Sequence, residues 1–329
     1  MAVLVTGGAG YIGSHMVLAL VDGGENVVVL DDLSTGFAFA VHPSATFIKG
    51  DVADTALVEK IVAEHGIDAV IHFAARLNVR ESLDDPLGYY LANTVKTRAF
   101  VETLVKAGVP HLVFSSTAAV YGMLGLEPVA EDAALAPISP YGRSKLMSEW
   151  MLADTAAAYP FSYVALRYFN VAGADPGGRS GQMDKAGFHL IKVACEAALG
   201  KRAGLDIYGT DYPTPDGTCV RDYIHVSDLA QAHLCALRHL RAGGASGAYN
   251  CGYGRGYSVK EVVETVKARS GIDFPVRFAE RRPGDPAAIV AKADRITAEL
   301  GWTPKLDHLP TIVDHAFTWE KGLDTRRGA

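Results

Sequence analysis

Residues 5–13 read Val5-Thr6-Gly7-Gly8-Ala9-Gly10-Tyr11-Ile12-Gly13, and this stretch decides the fold. It follows a short apolar run, Ala2–Thr6, and leads into a helical pattern carried by Ile12, Met16, Val17 and Leu20. Gly8, Gly10 and Gly13 fit GxGxxG, and Gly7, Gly10 and Gly13 fit GxxGxxG. Glycines permit the tight strand-to-helix turn and let backbone N–H groups approach a pyrophosphate at the helix N-terminus. Alone, such a segment is equally a structural turn. The next strand, Val27–Leu30, ends at Asp31-Asp32, with Asp31 lying 18 residues beyond Gly13. That is near the spacing of about 20 at which a carboxylate meets the ribose hydroxyls of a dinucleotide. The carboxylate would repel a 2′-phosphate, and Asp31–Gly36 contains neither Arg nor Lys, so NAD is favoured over NADP. Alone, Asp31-Asp32 also reads as a solvated turn.

Working outward, further apolar runs follow at Thr46–Ile48, Ala69–Phe73 and Leu112–Ser115. Helical periodicity separates them at Thr55–His65 and over the longer Leu87–Ala107. Strands alternating with helices predict a Rossmann-type α/β fold, a doubly wound parallel sheet covered on both faces. Beyond about residue 170 the pattern changes. Gly173–Gly187 and Asp211–Gly217 read as long loops, with helices at Ile191–Leu199, Val226–Leu240, Ser258–Ser270, Lys292–Leu300 and Leu309–Gly322. The expectation is an NAD-binding domain over 1–170 and a smaller, less regular lobe facing a cleft over 171–329, with crossings of the chain between the two left open.

Composition excludes several classes. The 329 residues carry 31 Lys and Arg against 37 Asp and Glu, a net charge of −6, which gives no electrostatic reason to bind nucleic acid or an anionic membrane. No apolar stretch is long enough to span a bilayer, and the N-terminus lacks the pattern of a signal peptide. Cys195, Cys219, Cys235 and Cys251 form no CxxC, and no HExxH or paired metal spacing occurs, so no metal is expected. Few cysteines fit a reducing cytoplasm.

A second motif is Ser139-Pro140-Tyr141-Gly142-Arg143-Ser144-Lys145. Ser139 suits an N-cap and Pro140 the first helical position. Tyr141 and Lys145, at i and i+4, share one helix face. A phenol with a pKa of about 10 is a poor base near neutral pH, and a neighbouring ammonium or a cationic nicotinamide favours the phenolate. As a bare spacing the pair also fits an amphipathic surface. A third piece, Phe114-Ser115-Ser116-Thr117-Ala118-Ala119-Val120-Tyr121-Gly122, leaves a strand 24 residues before Tyr141 and supplies hydroxyls that either serve the site or merely end the strand.

Together, at these distances, the three pieces resemble the extended short-chain dehydrogenase/reductase family and, within it, the UDP-glucose (UDP-galactose) 4-epimerases. The resemblance runs over essentially the whole chain. It is also carried by Arg167-Tyr-Phe-Asn170, Gly217-Thr-Cys-Val-Arg-Asp-Tyr-Ile-His-Val226 and Arg281-Arg-Pro-Gly-Asp285. It implies Tyr141 as base, Lys145 as its partner and Thr117 as a bridging hydroxyl. The implied cofactor contacts are Gly7, Gly10, Tyr11, Ile12, Gly13, Asp31, Asp32, Asp51, Val52, Phe73, Ala74, Ala75, Asn93, Ser115, Tyr141, Lys145 and Tyr168. Asp51, read alone, is a helix cap.

For the UDP-sugar the resemblance implies Thr117, Tyr141, Asn170, His189, Leu190, Tyr208, Arg221, Arg282, Asp285 and Ile289, with the arginines on the diphosphate. The residue four positions after the Asp of the Arg-Pro-Gly-Asp segment borders the hexose, and here it is Ile289. A homodimer through the helices around 87–107 and 141–158 is also implied. So is a cycle in which C4 of the sugar gives a hydride to NAD, the 4-keto sugar turns over, and the hydride returns to its other face. Two positions depart from the family. Leu77, preceded by Arg76, stands where a Lys is frequent, and His189 stands where Asn is frequent. Other activities remain open: 4-epimerisation of UDP-N-acetylglucosamine or a UDP-uronic acid, a sugar-nucleotide 4,6-dehydratase, and a non-catalytic NAD sensor. A dehydratase calls for an acidic residue beside the hydroxyl, whereas Ala118 and Ala119 follow Thr117. A sensor is expected to lose Tyr141 or Lys145, and both are present.

Overall fold

The computed structural model describes residues 1–123, 125–183, 187–282 and 284–327. Pro283 of the Arg281–Asp285 segment and residues 184–186 of the expected loop lie outside the described residues. The first half holds β1 (Ala2–Thr6), β2 (Val27–Asp31), β3 (Thr46–Lys49), β4 (Ile67–His72), β5 (His111–Thr117) and β6 (Ser162–Tyr168). The second half adds β7 (Asn170–Ala172), β8 (Leu205–Tyr208), β9 (Val220–His225), β10 (Gly247–Cys251), β11 (Gly256–Ser258), β12 (Val276–Ala279) and β13 (Ala288–Ile289).

Seven strands form a parallel sheet in the order β3–β2–β1–β4–β5–β6–β10. β1 is buried at all five residues because both sheet faces are covered. Its side chains alternate: Val3 and Val5 join the layer of helices Tyr11–Asp22 and Val226–Arg241, while Ala2 and Leu4 face Thr55–His65 and Lys96–Lys106. The strand order reverses between β1 and β4, and ligands of such sheets bind in the crevice at that point, beyond the strand C-termini. The chain crosses back: helix Val226–Arg241 and β10, from its second half, belong to this sheet.

The remaining strands build two small sheets. One joins β7, β9, β11 and β13, and the other pairs β8 with β12 in parallel. Their strands are two to six residues long, too short to show a period in the sequence. Two sequence expectations need correction. Leu87–Ala107 is not one α-helix: Pro86–Tyr90 and Lys96–Lys106 are separated by a π-helical turn at Leu91–Val95, where Asn93 is buried and bonded to neighbouring segments. Lys292–Leu300 begins its helix only at Asp294, because Lys292 and Val290 bond to Val129 across an extended bridge. Among the described residues no helix is long and apolar enough to cross a membrane.

Candidate active site

The glycine turn packs so closely on neighbouring backbone that side chains are excluded at Gly7 and Gly13. Gly7 has φ +70°, and a Cβ there would lie 2.7 Å from the backbone N of Ala74. At Gly13 a Cβ would lie 2.1 Å from Gly7 O, so the helix can only seat on the turn without one. Gly10 is the N-cap of helix Tyr11–Asp22, leaving Ile12 and its neighbours at an open helix N-terminus. The Tyr11 hydroxyl donates to Gly173 O at 2.7 Å, tying this turn to the second half of the chain.

Asp31 ends β2 with its carboxylate accepting from Ala9 N at 2.9 Å and Leu33 N at 2.8 Å. Burial pushes its pKa up against those two N–H groups, and Asp32 adds repulsion. Asp32 points outward and accepts from Ser34 N. Asp51 does not cap the helix that follows, since Asp54 does so through Leu57 N. Asp51 instead accepts from Ala53 N and pairs with Lys96; burial pushes its carboxyl up, but those partners hold it below the usual range. Val52 beside it is buried in the sheet layer. Phe73, Ala74 and Ala75 follow β4 at the sheet's C-terminal edge, with Phe73 N donating to Thr6 O.

The catalytic candidates converge. Ser139 caps its helix by accepting from Gly142 N at 3.1 Å, with Pro140 at the first position. This directs Tyr141 and Lys145 inward, 9% and 3% exposed. Lys145 Nζ donates to Ser115 O at 2.8 Å and lies 4.8 Å from the Phe114 ring centre. Burial pulls its ammonium down to about 7, with Glu149 opposing. Burial pushes the Tyr141 phenol up, and the hydrogen-bonded Thr117 hydroxyl pulls the other way. Ser115 Oγ and the Tyr168 hydroxyl are hydrogen-bonded partners. Asn93, on the π turn, accepts from Arg76 N at 2.8 Å and donates to Ser144 Oγ at 3.1 Å, bracing the helix that carries Tyr141.

Arg76 does not point into this cluster. Its guanidinium is held by Asp85 at 2.6 Å, by Glu81, and over the Tyr89 ring at 4.5 Å.

On the other side, β9 carries Arg221, which sits beside Ile289 of β13 in register and faces Asp285 at 3.7 Å. Arg282 lies over the Tyr208 ring, its Cζ 3.7 Å from the ring centre, a cation on an aromatic face. Ile289 packs on a cluster containing Ala118 and Val120, which places this lobe against the turn after Thr117. Asn170 begins β7, alongside Tyr223 of β9. His189 N-caps helix Leu190–Ala198, and its Nδ1 accepts from Gln182 Nε2 at 2.7 Å.

Sequence reading missed two supports. Glu149 lies one helical turn beyond Lys145 and takes Arg167 in a buried pair, with Nη2 at 2.6 Å. The i, i+4 spacing from Lys145 was a usable signal; the partner on β6 was not. Asp222, next to Arg221, accepts from Tyr253, Gly254 and Ala291 N–H groups and so ties the turn after β10 to the segment after β13; burial still pushes it up to about 6.

Residues 3–252 match the model of the NAD dependent epimerase/dehydratase family. The chain belongs to this family. A UDP-glucose 4-epimerase of Azospirillum brasilense is 54% identical over 99% of this chain and 94% of its own. A UDP-glucose 4-epimerase of Brucella ovis solved in complex with NAD superposes with a TM-score of 0.94 at 44% identity, covering 96% of this chain and 97% of that one. A UDP-Glc/GlcNAc 4-epimerase of Campylobacter jejuni has a TM-score of 0.85 at 46% identity, covering 97% and 99%. The cofactor is NAD, and this family member has the cradle for it: a turn with no room for a Cβ at Gly7 or Gly13, an open helix N-terminus, and the Asp31 carboxylate at the adjacent strand end.

Proposed function

We propose that this protein interconverts UDP-glucose and UDP-galactose by NAD-dependent 4-epimerisation. One observation favours epimerisation over the dehydratase branch of the family. Ala118 and Ala119 follow Thr117, Ala119 N donates to the Thr117 hydroxyl oxygen, and no acid stands at that turn to act on C5 or C6. Bound NAD would supply a reversible hydride acceptor for C4 of the hexose. The protein's residues manage the proton and the position. Tyr141, as phenolate, accepts the proton of the sugar O4 and gives it back after the 4-keto sugar has turned. The Thr117 hydroxyl stabilises that phenolate, and protonated Lys145, anchored on Ser115 O, adds positive charge nearby. Arg221 and Arg282 grip the diphosphate by charge-assisted bonds while Tyr208 and Asp285 hold the uridine, so the hexose turns about a fixed anchor.

Division of labour follows the chain: 1–170 holds NAD and the acid–base pair, and 171–329 mainly holds the nucleotide sugar. Exposed apolar residues on the helices around 87–107 and 141–158, among them Leu87 at 78% and Trp150 at 56%, support a homodimer. The four cysteines are free and buried, which suits the cytoplasm. Purified protein with retained NAD that converts UDP-galactose, set beside Tyr141→Phe with NAD retained and turnover nearly abolished, is the expected result. Near-native turnover in the Phe variant removes Tyr141 as base.

A further inference from the structure

The two binding sides meet at one residue of the C-terminal helix, Leu309–Arg327. Trp319 is buried, 5% exposed, in a small cluster with Ala174, Met183 and Leu323, against which Phe37 and Ala40 pack. Phe37 and Ala40 belong to the loop after Asp31. That loop is pressed onto the glycine turn: Phe37 N donates to Ala9 O at 3.0 Å, and a Cβ at Gly36 would lie 2.8 Å from the Ala9 backbone. Ala9 N in turn donates to Asp31. The cluster that holds Trp319 is therefore linked, through Phe37 and then Ala9, to the carboxylate that would hold the adenosine ribose.

The same ring supports the other side. Its Nε1 donates to Gln182 O at 3.0 Å, and Gly181 lies so close that a Cβ there would sit 2.4 Å from the indole. Gln182 holds His189, which opens the helix assigned to the sugar nucleotide. The intervening segment is stitched to the dinucleotide helix as well. Asp175 N donates to His15 Nε2 at 3.1 Å, and Ser14 and Ser180 hydroxyls bond at 2.7 Å. Ordering either side therefore orders the face of Trp319 that the other side uses.

We propose that Trp319 is a positioning residue that ties the adenosine-side loop to the sugar-nucleotide side, so that occupancy of one site tightens the other. The proposal rests on the NAD and UDP-sugar reading above. Coupling of this kind is reciprocal and ordinarily spans roughly fivefold and upward.

The test follows loss of NAD from the holoenzyme by absorbance after dilution, with and without saturating UDP. In the native chain UDP should slow that loss by roughly fivefold or more. In Trp319→Leu, and in Phe37→Ala should the first fail to fold, NAD should leave faster and the UDP effect should fall towards none. Ile312→Val alters the same helix inside a separate apolar cluster, and should keep the full UDP effect. The proposal is overturned alone if UDP binds the native chain without slowing NAD loss, if Trp319→Leu, or Phe37→Ala in its place, keeps the full effect, or if Ile312→Val abolishes it too. A chain that holds NAD yet binds no UDP overturns the sugar-nucleotide reading, and this proposal with it.

Discussion

Replacing Lys145 by Met should make the protein relatively more stable near neutral pH while crippling it. The ammonium is 3% exposed, and burial lowers its pKa from an ordinary 10.5 to about 7. The folded value lies below the unfolded one, so between them the unfolded chain binds the extra proton. Native stability then rises with pH across that window; it is fully present above the unfolded value and lost as pH falls through the folded one. Integrated from about pH 7 to about pH 9, this one group is worth about 2 kcal/mol. At roughly 2.1 cal/mol/K per residue, unfolding 329 residues turns that into a shift of about 3 °C. The Met variant lacks the group and so lacks that rise. Losing the bond to Ser115 O costs about 1–3 kcal/mol at every pH, so it cancels in the comparison. The assay is melting of both proteins at saturating NAD at the two pH values. The difference between Met variant and native chain should favour the variant more at the lower pH, by about 3 °C. A difference independent of pH would refute the claim that Lys145 is buried at such cost. Its activity should fall, with the optimum displaced upward, because the charge favouring phenolate is gone.

Other expectations follow the same geometry. Asp31→Ala should weaken NAD and narrow the gap to NADP in titrations of stripped protein; unchanged selectivity would leave Asp31 a turn residue. Arg221→Ala or Arg282→Ala should cost roughly 1.5–3 kcal/mol in UDP affinity by calorimetry while NAD affinity holds. Unaltered UDP binding would put that arginine outside the site. Ile289→Tyr should lower kcat/KM for UDP-N-acetylglucosamine relative to UDP-glucose, because Ile289 packs beside the turn after Thr117 and a larger ring would fill the sugar's side of it. An unchanged ratio would show that Ile289 does not gate the hexose.

What the sequence by itself determined is local. The glycine turn, the strand end at Asp31, and the Ser139-Pro140-Tyr141 cap with Lys145 four residues on are contiguous patterns. Their geometry follows from backbone freedom and helix periodicity, so the doubly wound sheet and the placing of Tyr141 and Lys145 on one helix face were legible. The tertiary structure decided everything that depends on partners distant in the chain. Glu149 is an ordinary surface-type helix residue until β6 brings Arg167 against it. Arg76 could have faced the cofactor until Glu81, Asp85 and Tyr89 closed around it. The strands of the small sheets are too short to carry a period of their own, and pairing with segments far along the chain orders them, as β9 does for β13. The π turn at Asn93 has the same origin. Periodicity predicts an unbroken helix there, and the buried amide's bonds to Arg76 and Ser144 favour the wider turn.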